Sequence, residues 1–360
     1  MPSIDLTFTG MASVAELSVL ESTVQEVLRS SLSTSVLPHR RLYKMSSANN
    51  FLDSYQPPLG VLRLTVQHGK GFVVEKRFLA KTDVPDVYLK VSLGALPEVW
   101  RTTTVRENLN PEWDEVGDFC LYDREQLVQI EAWDQDENPL DPDDDLGLAN
   151  VTVADMLVSP RRSVTIPLKK YNRAKKTKQK TGAAITLSCD ICDWTTDLSS
   201  LDPNNSSNGA IHNEICGLLV VIISRAFDLP LDRKKACTFV KVTFAGQEYD
   251  TKMVYDYPGW DPLNPIYDKG VTIPITTNMP RDDNTEVKMD LINLVDQKPT
   301  ILGSLSISFS TLKSLPENTM TARRTIGSDG AWLEYRVSLS GVGKPPITSS
   351  PSAAARNLSP

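Results

Sequence analysis

Apolar and polar residues change their spacing twice along this chain. At the start, Ile4, Leu6 and Phe8 alternate with polar neighbours, the period of a half-buried strand. From about Val14 to Val36 the apolar positions fall at helical spacing, through Leu17, Leu20, Val24, Val27, Leu28 and Leu32 to Leu37, and Pro38 closes the run. One strand and one helix cannot bury their apolar faces alone, so this piece packs on something else or ends a larger domain. From Leu59 a two-residue alternation takes over. Leu62, Leu64 and Val66 alternate with Arg63, Thr65 and Gln67, and Val87, Leu89, Val91 and Leu93 alternate with Tyr88, Lys90 and Ser92. Further runs near 99–105, 116–122, 127–133, 146–153, 163–168 and 183–191 bring the count to about eight short strands between turn-rich loops, which predicts an antiparallel sandwich.

Residues 195–213 are rich in Thr, Ser, Asp, Asn, Pro and Gly and read as a linker. A second series of strand-like runs begins at Gly217 and ends near Leu339, and 341–360 reads as a disordered tail. The two series repeat one another. "YLKVSLG" at Tyr88–Gly94 returns as "FVKVTFAG" at Phe239–Gly246, "LNPEWD" at Leu109–Asp114 as "LNPIYD" at Leu263–Asp268, and "DLG" at Asp145–Gly147 as "ILG" at Ile301–Gly303.

Composition narrows the function classes. The net charge of -7 is unlike the basic balance of a free-standing nucleic-acid binder. No basic-then-apolar leader opens the chain, and no apolar run reaches the length of a membrane span of about 18 residues. Five cysteines without framework spacing suit a reducing cytosol. The histidines, His39, His68 and His212, form no zinc or triad motif, and no phosphate loop or nucleophile elbow is present, so no enzyme is expected. Cys189 and Cys192 fall on a predicted strand, where residues three apart face opposite sides, and read as structural.

"PDVYLKV", "NLNPEWDE" and "AWDQDENPLDPDDDLG", in that order, resemble the C2 domain family over 58–194, and the repeat extends the resemblance to 214–340. "PSIDLTFTG…VLPHR" running into "PPLGVLRLTV" resembles the end of the lipid-carrying (SMP-like) domain of extended synaptotagmins, tricalbins and plant synaptotagmins. The resemblance implies an all-β architecture of two tandem eight-stranded antiparallel C2 sandwiches. Residues 1–57 would be the strand–helix remnant of the lipid-carrying domain. It also implies peripheral binding to anionic phospholipid membrane, phosphatidylserine or phosphoinositide. The chain would then be part of a tether or lipid-transfer protein at contacts between endoplasmic reticulum and plasma membrane, on the cytoplasmic side. The alternative is a calcium-independent protein–protein scaffold, and either way the second sandwich could bind a protein.

A C2 calcium site gathers carboxylates from two loops at one end of the sandwich, which suits an ion that takes six to eight oxygens. The resemblance assigns Asp86 from the earlier loop and Asp134, Asp136 and Asp144 from the later one, with Glu75 or Asp83 as a further ligand. An acidic solvated loop is the competing reading of Asp134–Asp145. Phe78, in the earlier loop, and Leu140, in the later one, are apolar tips suited to a headgroup region. Between two predicted strands, "KKYNRAKKTKQK" carries Lys169, Lys170, Arg173, Lys175, Lys176, Lys178 and Lys180 and reads as a lipid-binding loop; its single aromatic, Tyr171, argues against nucleic acid. In the second series Cys237, Asn293, Val295 and Thr300 stand near the positions of the four acids, so Ca2+ is expected in the first sandwich only.

Overall fold

A computed structural model describes residues 51–73, 84–94, 96, 98–136, 142–172, 177–203, 211–212, 214–295, 298–327 and 330–344. The strand and helix predicted over 4–8 and 14–36 lie outside the described residues, as do Glu75, Phe78, Asp83, Leu140, Arg173, Lys175, Lys176 and the end of the chain. The chain divides into two compact units, one built on 66–114 and 122–188, the other on 44–65, 115–121 and 189–360.

The first sandwich is the predicted run of short strands: β1 (Gly60–Lys70), β2 (Val87–Leu93), β3 (Val99–Arg101), β4 (Glu112–Leu121), β5 (Leu127–Asp134), β6 (Asp144–Thr152), β7 (Ser163–Asn172) and β8 (Thr177–Thr195). One face has the order β3-β2-β5-β6 and the other β4-β1-β8-β7. The alternation in the sequence is the alternation of burial: Leu89, Val91 and Leu93 of β2 are inside and Lys90 and Ser92 half-buried. Between β6 and β7 a short helix, α2 (Val153–Val158), is capped by Thr152, whose side chain accepts from the Asp155 N–H.

The second sandwich repeats this order. Its faces are β12-β11-β15-β16 and β14-β10-β18-β17, drawn from β10 (Ile215–Phe227), β11 (Cys237–Phe244), β12 (Gln247–Asp250), β13 (Val254–Tyr255), β14 (Ile266–Thr276), β15 (Glu286–Val295), β16 (Lys298–Ser308), β17 (Thr319–Thr325) and β18 (Trp332–Val342). Its core holds Leu219, Val221, Ile223, Val240, Val242, Phe244, Met289, Leu291, Tyr335 and Val337. Leu218, Val220 and Ile222, on the opposite face of β10, are buried as well. The short helix α1 (Phe51–Ser54) and Tyr55 bear on this sheet. Arg336 of β18 donates to the Leu52 carbonyl at 2.6 Å and to Asp53 at 2.8 Å, and the Tyr55 hydroxyl lies 2.6 Å from that of Thr272. Gly270 makes the approach possible, because a Cβ there would collide with the Tyr55 ring.

Two expectations change. The described parts of the basic run are strand rather than loop. β7 and β8 extend into it on either side of 173–176 and pair, setting Lys169 opposite Lys180, Lys170 opposite Gln179 and Tyr171 opposite Lys178. The linker carries structure: Leu201 is buried in a helical turn at Ser199–Leu201, and β9 (Ile211–His212) pairs in parallel with Val116–Gly117. Cys189 and Cys192 are both buried in β8, as suits structural cysteines. All five cysteines are free thiols.

Candidate functional site

The ends of β2, β5 and β6 meet at one tip of the first sandwich. The Asp86 N–H donates to Asp134 Oδ1 at 2.7 Å, and Asp86 Oδ1 accepts from the Glu107 N–H at 2.7 Å. The Gln135 N–H closes the tip by donating to the Asp86 carbonyl at 2.9 Å. Asp86 and Asp136 line one open pocket of about 390 Å³, with Arg106 and Gln135 as the other walls. Asp144 stands directly opposite Asp134 in the β5–β6 pairing, across a bulge between Ala132 and Trp133.

The neighbouring acid, Asp143, is the one whose contacts reach across the tip. Its Oδ2 accepts from the Tyr88 hydroxyl at 2.6 Å and its Oδ1 from the Asp136 N–H at 3.2 Å. The Tyr88 bond holds the Asp143 carboxyl below the usual carboxylate range. Burial, then the same bond, pushes the Tyr88 hydroxyl up to about 12. Sequence reasoning passed over Asp143 because the bulge shifts the phase of β6.

The chemistry suits a hard cation in part. Asp86 and Asp136 face one pocket and Asp134 buttresses Asp86, yet among the described residues no three His, Cys, Asp or Glu side chains converge to hold a metal ion. A calcium sphere of six to eight oxygens therefore needs ligands beyond the described carboxylates.

A cationic cluster borders the acids and was not expected from the sequence. Register sets Tyr88 beside Trp133 and Lys90 beside Arg101. Lys90 Nζ lies 4.5 Å from the centre of the Trp133 ring, and the Arg101 guanidinium 3.7 Å from that of Tyr88. The readable signal was "YLK" on one strand: Tyr88 and Lys90 are two apart and share a face. On the hairpin, Lys169 and Lys170 are exposed, and β8 carries Lys178 and Lys180.

The second sandwich keeps the scaffold of this tip and changes its chemistry. The Cys237 N–H donates to Asn293 Oδ1 at 2.8 Å, the bond that Asp86 and Asp134 make in the first. Asn264 Oδ1 accepts from the Asp228 N–H at 3.0 Å, as Asn110 Oδ1 does from the Gly71 N–H at 3.2 Å. Asp114 and Asp268, closing the two "LNP" motifs, both take left-handed φ, at 47° and 44°. Thus one loop framework carries two acids in the first sandwich and Cys and Asn in the second.

The C2 domain family matches residues 60–180 and 217–323. The chain belongs to the C2 domain family. Its two C2 domains are of the extended-synaptotagmin type. Over 161 residues it is 26% identical to extended synaptotagmin-3 of Homo sapiens, covering 44% of this chain and 18% of that protein. Over 343 residues it is 22% identical to extended synaptotagmin-1 of Homo sapiens, covering 91% of this chain and 28% of that protein. The chain thus spans less than a third of either relative. A solved structure of the paired C2 domains A and B of extended synaptotagmin 2, calcium bound, matches with a TM-score of 0.58 at 18% identity, over 80% of this chain and 98% of that one, a likeness of fold. Among the described residues no helix is long and apolar enough to cross a membrane.

Proposed function

We propose that this chain docks peripherally on anionic phospholipid membrane with the help of calcium, as a C2 module of a contact-site tether or lipid-transfer protein. The pocket shared by Asp86 and Asp136, beside Asp134, carries this reading. The pairing of Asp144 with Asp134 supports Asp144 as a further ligand, and Asp83 or Glu75 would add another carboxylate. Calcium supplies positive charge there, so that a tip which repels anionic lipid comes to attract it and can take a lipid phosphate as ligand. Lys90 and Arg101, beside the acids, and the lysines of the β7–β8 hairpin add attraction that needs no calcium. Phe78 and Leu140 would enter the headgroup layer. Phosphatidylserine or a phosphoinositide is the lipid expected, on the cytoplasmic face where endoplasmic reticulum meets plasma membrane. The role is binding rather than catalysis.

Co-sedimentation with phosphatidylserine vesicles, in calcium and in chelator, tests it. Calcium should raise the bound fraction of the parent and leave the Asp134→Asn, Asp136→Asn variant at its chelator level. Binding that is absent or indifferent to calcium in the parent would favour the protein-scaffold alternative.

A further inference from the structure

The second sandwich carries, at the loop end where the first carries acids, a group of aromatic rings that its own core does not use. "YPGW" at Tyr257–Trp260 closes a turn in which the Trp260 N–H donates to the Tyr257 carbonyl at 2.9 Å. Pro258 and Gly259, with Gly259 at φ +86°, are the residues a type II turn asks for. The turn brings Tyr257 and Trp260 together beside Tyr255 at the end of β13. The three ring centres are 5.6–6.1 Å apart and their planes cross at 58–73°. Yet the rings stay 45%, 54% and 38% exposed for Tyr255, Tyr257 and Trp260. Three partly exposed rings, tilted on one another, form a corner.

Charge around the corner is dipolar. Arg233 fixes the loop by donating to Asp256 at 3.0 Å and to the Trp260 carbonyl at 3.1 Å. Asp261 is held below the usual carboxylate range by its bond from Asn264. Lys252 Nζ lies 5.8 Å from the Trp260 ring centre, so the indole already draws a cation. Trp260 alone of the three rings also lines a neighbouring pocket of about 320 Å³, with Lys252, Val254, Gly259, Asp261, Asn264 and Ile266, within the range of small-ligand sites, about 300–1,000 Å³.

We propose that this corner binds the phosphocholine headgroup of a zwitterionic bilayer without calcium. A quaternary ammonium can lie within about 6 Å of several ring centres at once, the arrangement that aromatic cages use. Asp256 and Asp261 share Arg233, at 3.0 Å and 3.6 Å, so the acids and bases around the rings offset one another as a zwitterion asks, and Lys252 with Asn264 offers donors to the phosphate. Exposed Met253 and Ile266 flank the site for the apolar glycerol region, and Trp and Tyr favour that depth of a membrane. An inositol headgroup brings no cation for the rings, and a serine headgroup brings an ammonium without methyl groups together with a carboxylate that Asp256 and Asp261 repel. A methylated lysine of a protein would meet Lys252 with no phosphate to match it. The site is separate from the calcium site and is tested where that site is silent.

The full chain is mixed with pure phosphatidylcholine vesicles in chelator, and free phosphocholine is titrated by calorimetry. The parent should co-sediment, and free phosphocholine should compete. Tyr257→Ala with Trp260→Ala should weaken binding at least about tenfold, the scale of losing two cation–ring contacts. Tyr257→Phe with Trp260→Phe should keep most of it, since the faces remain; an unchanged melting temperature excludes unfolding. Replacing most of the phosphatidylcholine with phosphatidylethanolamine keeps the charge, removes the methyl groups and should cut binding comparably. Parent and alanine variant binding equally, no preference between the two lipids, or a trimethyllysine peptide binding tighter than phosphocholine would each overturn the proposal.

Discussion

Asp143 is the acid of the first tip with the clearest directional partner. The Tyr88 hydroxyl reaches it from the opposite strand at 2.6 Å and keeps it ionised. Its folded-state pKa is lowered, so the stabilisation is complete above the unfolded value of about 3.9 and is lost as pH falls through the lower folded value. Tyr88→Phe removes the donor and keeps the ring under Arg101. The variant should be less stable than the parent by about 1 kcal/mol at neutral pH. Urea midpoints measured from pH 7 down to pH 2 should show the gap closing below about pH 4; a gap constant across that range would mean that the bond does not favour the ionised acid. Asp86 and the "D-x-D" pair were legible as positions through the resemblance to the C2 loop pattern, and the structure ends β5 at Asp134 with Asp136 beside Asp86 in the pocket. The role of Asp143 was not, since a bulge inserts a residue without any mark in composition.

At the scale of elements, alternation was legible wherever one strand face is apolar, as in β2 and β11. It fails on the β7–β8 hairpin, whose far half is "KKYN" against "TKQK" and offers no apolar face to read. Pairing there continues the backbone ladder from half-buried Ile166 and buried Ile185. The consequence is functional: strands fix lysines along a paired edge, where a loop would scatter them. Changing Lys169, Lys170, Lys178 and Lys180 to Gln should weaken binding to anionic vesicles in chelator at low salt, each lysine contributing about 1 kcal/mol near the surface. The difference should shrink as salt rises, because screening shortens the reach of charge to about 10 Å at 0.1 M. Parent and variant that bind alike at every salt concentration would remove the hairpin from the membrane surface.

Across the molecule, one scaffold has been given two chemistries. A hydrogen bond from the start of one strand to its neighbour is present in both sandwiches, at 2.7 Å from Asp86, just before β2, to Asp134 of β5 and at 2.8 Å from Cys237 of β11 to Asn293 of β15. Asparagine keeps the acceptor that the backbone needs and drops the charge, so the second tip keeps the hydrogen bond without the acid. Replacing Asp134 with Asn should likewise preserve the first tip's backbone and remove only its electrostatics. Calcium that binds the folded first sandwich alone stabilises it by RT ln(1 + [L]/Kd), about 2.7 kcal/mol at a hundredfold excess over Kd. Amide exchange followed segment by segment on the whole chain separates the two sandwiches. Calcium should slow exchange around 84–93 and 127–136 and leave 237–244 and 286–295 as they are in chelator. Asp134→Asn with Asp136→Asn should abolish the slowing. Equal slowing in both sandwiches would place calcium in the second as well, and none in either, at millimolar calcium with short-chain phosphatidylserine present, would end the metal-site reading.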